Sequence, residues 1–292
     1  MTSSFGGGTG RPERATCLGA LTGASSTVVA VLAANPWESM KVRAQSQSTG
    51  WRMFSSRAAF SQLLRKPFAG VPAHVVSYMP MNVVRFAAYE AAKPAVGWPA
   101  GVRQAPRWWQ PFAAGGASGL ACAAAIHPLW VVKTYQQAHR VTTPAAVRAL
   151  TDMHGVRGLC LTWPLGFVRF GVALSVFFGT YDVVKRTIGA DKISEHSPGT
   201  AFGLRAVAGG CSGVLTWTSI YPIDVLQSRV VARSMEYQGG TIATARSLLA
   251  EGGWRIFTRG YAAVLMRSIP VNAMLLPVAD VLRAFYDRTL PA

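Results

Sequence analysis

Three short segments each set a carboxylate three residues ahead of a base: Tyr89 to Lys93 (YEAAK), Tyr181 to Lys185 (YDVVK) and Ala279 to Arg283 (ADVLR). Their acids, Glu90, Asp182 and Asp280, recur at intervals of 92 and 98 residues. A second set follows three prolines, Pro36, Pro128 and Pro222, at intervals of 92 and 94: Glu38, Lys41 and Gln45, then Lys133 and Gln137, then Asp224 and Gln227. Such groups can form ion pairs and hydrogen bonds. On one helix, an acid and a base three residues apart can pair locally on a solvated face. Near a membrane, buried charges need partners and usually mark a pathway. Three copies in step favour the second reading.

Bond-making chemistry has little to work with. No nucleophile–base pair, metal cluster or phosphate loop can be assembled from these motifs, so an enzyme is not expected. The five histidines show no ligand spacing with Cys, Asp or Glu. Cys17, Cys122, Cys160 and Cys211 are widely separated and form no CxxC pair. The formal charge of +17 would suit nucleic acid in a soluble protein, and anionic lipid headgroups or an anionic solute in a membrane protein. The basic residues are scattered between apolar stretches, which argues against nucleic acid.

The elements that must position these charges are apolar. Half of the 292 residues are hydrophobic and only 14% are charged, with a mean hydropathy of +0.25. A soluble protein usually carries about 25% charge. Three Gly/Ala-rich runs precede the three prolines, each of about 20 residues, enough to cross a bilayer core as a helix. Gly19 and Gly23, Gly115 and Gly119, and Gly209 and Gly213 form small-xxx-small pairs that let helices approach closely. More polar stretches at 51–66, 142–155 and 241–253 read as short amphipathic helices on one membrane surface. The fold class expected is an all-α membrane protein with six transmembrane helices. They form three pseudo-threefold repeats at 16–97, 108–190 and 200–290, after a flexible tail at 1–15.

Over nearly its whole length the chain resembles the mitochondrial carrier family, of the solute carrier 25 type. The family's odd helices end in Pro-x-acid-x-x-base: Pro36, Glu38 and Lys41 match fully, Trp130 replaces the acid in the second copy, and Gln227 replaces the base in the third. The even helices carry aromatic-acid-x-x-base, in which only the aromatic fails, at Ala279. Phe68-Ala-Gly70, Val156-Arg-Gly158, Thr258-Arg-Gly260 and Tyr237-x-Gly239 resemble the family's cardiolipin-binding turns, where helix N-termini hold a lipid phosphate.

The resemblance implies two rings of charge. A cytosolic gate would pair Lys93 with Asp182, Lys185 with Asp280 and Arg283 with Glu90, with Tyr89 and Tyr181 bracing it through their hydroxyls. A matrix gate would set Lys41 against Trp130, Lys133 against Asp224 and Gln227 against Glu38, with Gln45 and Gln137 as braces. Only Lys133–Asp224 is an ion pair there, so an asymmetric gate, weaker on the matrix side, is expected. The prolines would bend the odd helices and close the matrix end, with alternating access around a central site.

The family's binding points lie 13 residues before each even-helix acid, which places them at Ser77, Arg169 and Arg267. Arginine suits bidentate carboxylate or phosphate binding. Arg85 follows Ser77 on roughly the same face and reads equally as a cavity-mouth charge that steers anions. Phe170 replaces the acid or small residue that other carriers place there. Trp217 is similar to a tryptophan common in the carnitine and amino-acid branch, and is equally an ordinary core aromatic. The expected function is transport of a small, anionic or carboxylate-bearing metabolite across the mitochondrial inner membrane, by exchange or otherwise. The expectation includes a functional monomer with bound cardiolipin, no cofactor and no nucleic-acid partner. A carrier-fold scaffold or adaptor that no longer transports stays open, favoured by the losses at Trp130 and Gln227.

Overall fold

Long runs of Ala, Leu, Val and Gly, interrupted by few charges, leave the main chain one way to satisfy its polar groups in lipid, which is to form helices. The computed structural model describes residues 10–46, 71–98, 106–190, 197–232, 240–258 and 260–289, which are helical with short connecting turns and contain no strand. The helices are α1 (Gly10–Ser46), α2 (Val71–Ala92), α3 (Gln110–His139), α4 (Thr143–His154), α5 (Trp163–Thr187), α6 (Pro198–Ala232), α7 (Gly240–Gly252), α8 (Arg255–Thr258) and α9 (Tyr261–Thr289). Pro128 and Pro222 lie inside α3 and α6, which continue through them. Hydroxyl groups in these apolar helices bond back to their own main chain: Thr22 donates to Leu18 O, Thr218 to Val214 O and Ser219 to Leu215 O.

The six long helices close on themselves. α1 packs on α2, α2 on α3, α3 on α5, α5 on α6, α6 on α9, and α9 returns to α1. Each glycine pair sits where the two helices of one repeat meet. A Cβ on Gly19 would lie 2.7 Å from Phe86 O, and one on Gly115 or Gly119 would run into the main chain at Leu174 or Phe170. In the third repeat, Gly209 faces the main chain at Asn272, and Gly213 faces the side chains of Asn272 and Ser268. Four described stretches are long and apolar enough to span a membrane: Glu13–Leu32, Gln110–His139, Gly155–Thr187 and Val264–Thr289. α2 carries Pro80, Asn82, Arg85 and Glu90, and the core of α6 is diluted by Ser, Thr, Gly and Tyr. Two surface helices are in place, α4 over most of 142–155 and α7 over most of 241–253; the 51–66 segment lies outside the described residues.

One expectation changes at the N-terminus. α1 starts at Gly10, so residues 10–15 are helix rather than part of a flexible tail. Glu13 lies in the first turn, where a carboxylate favours the exposed N–H groups. Ala15 is buried, and its carbonyl accepts a hydrogen bond from Arg283 Nη1 at 3.2 Å.

Candidate functional site

The even helices α2, α5 and α9 bring their acid–base segments together at one end of the bundle. Lys185 Nζ lies 3.5 Å from Asp280 Oδ2, and Arg283 Nη2 lies 3.4 Å from Glu90 Oε2. Both pairs join different repeats. Tyr181 donates its hydroxyl to Asp280 Oδ2 at 2.7 Å. The third contact differs from the expected Lys93–Asp182 pair: Lys93 turns to Glu90 of its own helix at 2.6 Å. It also sits over the rings of Tyr89 and Trp98, at 4.9 and 4.7 Å. Asp182 takes Arg186 Nη2, one turn along α5, at 2.7 Å. The short 3-10 turn Pro94–Val96 explains the swap, because it folds Trp98 back over Lys93 and gives the ammonium an aromatic face.

Tyr89 contributes its ring rather than its hydroxyl. It stacks on Phe178 with centroids 3.8 Å apart and planes 10° from parallel, and Phe86 meets Phe178 edge-on at 5.7 Å. A cavity of about 410 Å³ lies at this level, and its lining includes Tyr89, Glu90, Lys93, Asp182, Asp280 and Arg283.

A second charged contact lies deeper. Arg169 precedes Asp182 by 13 residues on α5, which is roughly 20 Å of helix rise. Its Nη2 lies 2.6 Å from Asp224 Oδ1 on α6. Arg169 is 8% exposed, and its guanidinium lies over the rings of Trp130 and Phe170, each at 5.0 Å. Its Nε is buried with no hydrogen-bond partner. The carboxylate expected for Lys133 is therefore held by Arg169, while Lys133 Nζ lies 4.9 Å over the ring of Tyr78. Trp130 explains the difference. With an indole in place of an acid, α3 offers a cation a π-face, and Arg169 settles there with Asp224 alongside.

The expected partner of Gln227, Glu38, has its side chain outside the described residues. Fully buried, Gln227 donates from Nε2 to Thr162 Oγ1 at 3.3 Å and lies 3.5 Å from His127 Nδ1. His127 is itself buried, Nε2 lies 3.0 Å from Leu161 O, and its ring stacks beside Trp130 at 5.8 Å. Gly166 makes room for that ring, since a Cβ there would lie 2.5 Å from His127 Nδ1. An amide, an imidazole and a hydroxyl thus meet at a contact between the second and third repeats that spacing did not point to.

Arg85 sets its guanidinium 5.0 Å over the ring of Phe177. Gln137 is exposed; its neighbour Gln136, about 100° further round the helix, bonds Thr143 Oγ1 at 2.8 Å instead. Trp217 is half-buried on α6, seven residues and so two turns before Asp224 on the same face. The side chains of Glu38, Lys41, Gln45, Ser77 and Arg267 lie outside the described residues, as do 68–70 and 237–239 of the lipid turns. Val156-Arg-Gly158 falls in a 3-10 turn ahead of α5 rather than at its first residue, and Gly260 opens α9 with φ of +86°, a conformation that favours glycine. The functional partners missed by spacing are Phe178, Arg186, His127 and Thr162, all supplied by neighbouring helices or by the next turn.

Comparison with known proteins agrees with this architecture. A family profile described as "Mitochondrial carrier protein" matches residues 14–98, 104–192 and 199–289. The "Mitochondrial basic amino acids transporter" of Bos taurus is 27% identical over 284 residues, 91% of this chain and 91% of that protein. Its Homo sapiens counterpart is 28% identical over 87% of this chain and 85% of its own. The "Mitochondrial adenyl nucleotide antiporter SLC25A25" of Homo sapiens is 29% identical over 62% of this chain and 39% of its own length.

Proposed function

Given that this chain belongs to the mitochondrial carrier family, we propose that it carries a solute bearing a carboxylate or phosphate, with that group held on Arg169. Membership makes it a multi-pass transporter of small metabolites in the mitochondrial inner membrane and not an enzyme. Support for the finer statement comes from one observation. Arg169 is a buried guanidinium with an unused Nε donor and two aromatic faces. Such a group recognises planar anions. A basic amino acid has a carboxylate and an adenyl nucleotide has phosphates, so the solutes named for these relatives fit such a group without requiring a net negative solute.

The carrier cycle follows from two closed layers. The ring at Lys185–Asp280 and Arg283–Glu90, capped by the Tyr89–Phe178 stack, is the cytosolic gate. The Asp224 layer, with its neutral Gln227–Thr162–His127 neighbour, is the matrix gate. Ser77 and Arg267 complete the solute site with Arg169. One chain closes the ring of helices, which supports a functional monomer. Cardiolipin binds at the turns ahead of α5 and α9.

The experiment is a solute panel on purified protein in cardiolipin-containing liposomes, covering amino acids, keto acids, dicarboxylates and nucleotides. Uptake or exchange of at least one carboxylate- or phosphate-bearing solute is expected. A folded protein that moves none of them would favour the scaffold or adaptor reading.

A further inference from the structure

From the Arg169–Asp224 pair we infer that Asp224 is the subsite for a cationic group on the solute, so that the preferred substrate class is a zwitterion whose carboxylate and ammonium lie close together, as in an α-amino acid. The inference rests on the carboxylate reading above and narrows it.

Arg169 and Asp224 are each other's ion-pair partner across two helices, at 2.6 Å, with side chains only 10% and 20% exposed. A solute that takes Arg169 displaces Asp224 from its cation. A dicarboxylate or a nucleotide would then leave the Asp224 carboxylate beside further negative charge in a poorly solvated site, which is unfavourable. A zwitterion avoids that cost. Its carboxylate replaces Asp224 on Arg169, using Nη2 and the spare Nε, and its ammonium replaces Arg169 on Asp224. Arg169 and Asp224 then each face an opposite charge both before and after the exchange. Trp130 and Phe170 hold the guanidinium in place while its partner changes, because both rings pack on Arg169 independently of Asp224.

The position next to Arg169 on α5 is Phe170, so the acceptor for an ammonium does not come from the adjacent residue. Asp224 supplies it from the neighbouring helix. Because Asp224 also joins α5 to α6 through Arg169, binding a zwitterion breaks that ion pair between the two helices and replaces it with a link that runs through the solute. Solute binding and release of that layer become one event.

The test compares uptake of the standard α-amino acids into liposomes with uptake of the matched 2-hydroxy acids, which keep the carboxylate and lack the ammonium. For the best amino acid, wild-type protein should prefer it over its hydroxy analogue by about tenfold or more, as expected when a buried charge is left unpaired. Asp224→Asn should lower amino-acid uptake far more than hydroxy-acid uptake and so erase most of that preference, and Asp224→Glu should restore it. Equal uptake of the two acids by wild type would overturn the inference and leave the carboxylate reading standing. Uptake of neither by a folded, reconstituted protein would overturn both. If Asp224→Asn lowered the two rates equally, Asp224 would hold Arg169 in position without contacting the solute, and the inference would fail.

Discussion

Ser118 on α3 donates its hydroxyl to the main-chain oxygen of Arg85 on α2, at 2.7 Å. One repeat later, Ser212 on α6 makes the same bond to Phe177 O on α5 at 2.6 Å. Both serines are completely buried. The equivalent residue of the first repeat, Ser26, ten residues before Pro36, donates to Gly23 O of its own helix at 3.4 Å. The seam between α1 and α9 is instead joined by Ser25 with Tyr286 at 2.6 Å, and by Arg283 reaching Ala15 O. Two seams are thus alike and the third, which closes the ring, is built differently.

Removal of either serine hydroxyl should therefore be felt across a helix seam. Ser118→Ala and Ser212→Ala should each lower stability by about 1 kcal/mol, and Ser26→Ala by less, since its bond stays within one helix. Thermal unfolding in mild detergent measures the difference.

Phe178 should matter more than any single ring charge. It stacks on Tyr89 and meets Phe86, so it fills the centre of the bundle at the gate. Phe178→Ala should cost about 3 kcal/mol and raise solute leak, while Phe178→Tyr should keep most of the stacking. Melting temperature and passive efflux from loaded liposomes report the two effects separately.

The two bases at Glu90 are not equivalent. Arg283 links α9 to α2, whereas Lys93 pairs inside α2. Lys93→Ala should change stability by only about 0.5 kcal/mol, the value of a local helix pair, with part of any further loss coming from its contact with Trp98. Arg283→Ala should destabilise more, because it also frees Ala15 O and unpins the start of α1. A double mutant with Glu90→Gln should show strong coupling for Arg283 and weak coupling for Lys93.

The repeat was legible because membrane helices write their length, their glycine contacts and their charged ends directly into sequence. Gly115 and Gly119 illustrate this, since four-residue spacing already defines a face and the structure only supplies the opposing main chain at Leu174 and Phe170. What crosses between helices was less legible. Nothing in local spacing sends Asp224 to Arg169 rather than Lys133, because the choice depends on where Trp130 and Phe170 put their rings. Gln137 and Gln136 show the finer limit, where one residue of helix rotation decides which amide reaches Thr143. The start of α1 was missed because its Gly- and Arg-bearing first turn looks like a tail until Arg283 is seen to hold it.

Close packing also makes a firm negative prediction. Gly119→Val would drive a branched side chain into the main chain at Phe170 and Gly171, where no side chain can move aside. The variant should yield no detergent-stable protein, and size-exclusion of a fluorescent fusion would show aggregate in place of a monodisperse peak.

The central claim, that Arg169 receives the solute's anionic group, is tested most directly by initial uptake rates of the best panel solute in liposomes. Arg169→Ala should be paired with Asp224→Asn, so that no buried carboxylate is stranded. The double variant should reconstitute and melt within a few degrees of wild type, yet its uptake should fall by about a hundredfold. Uptake near the wild-type rate by a folded double variant would contradict the account.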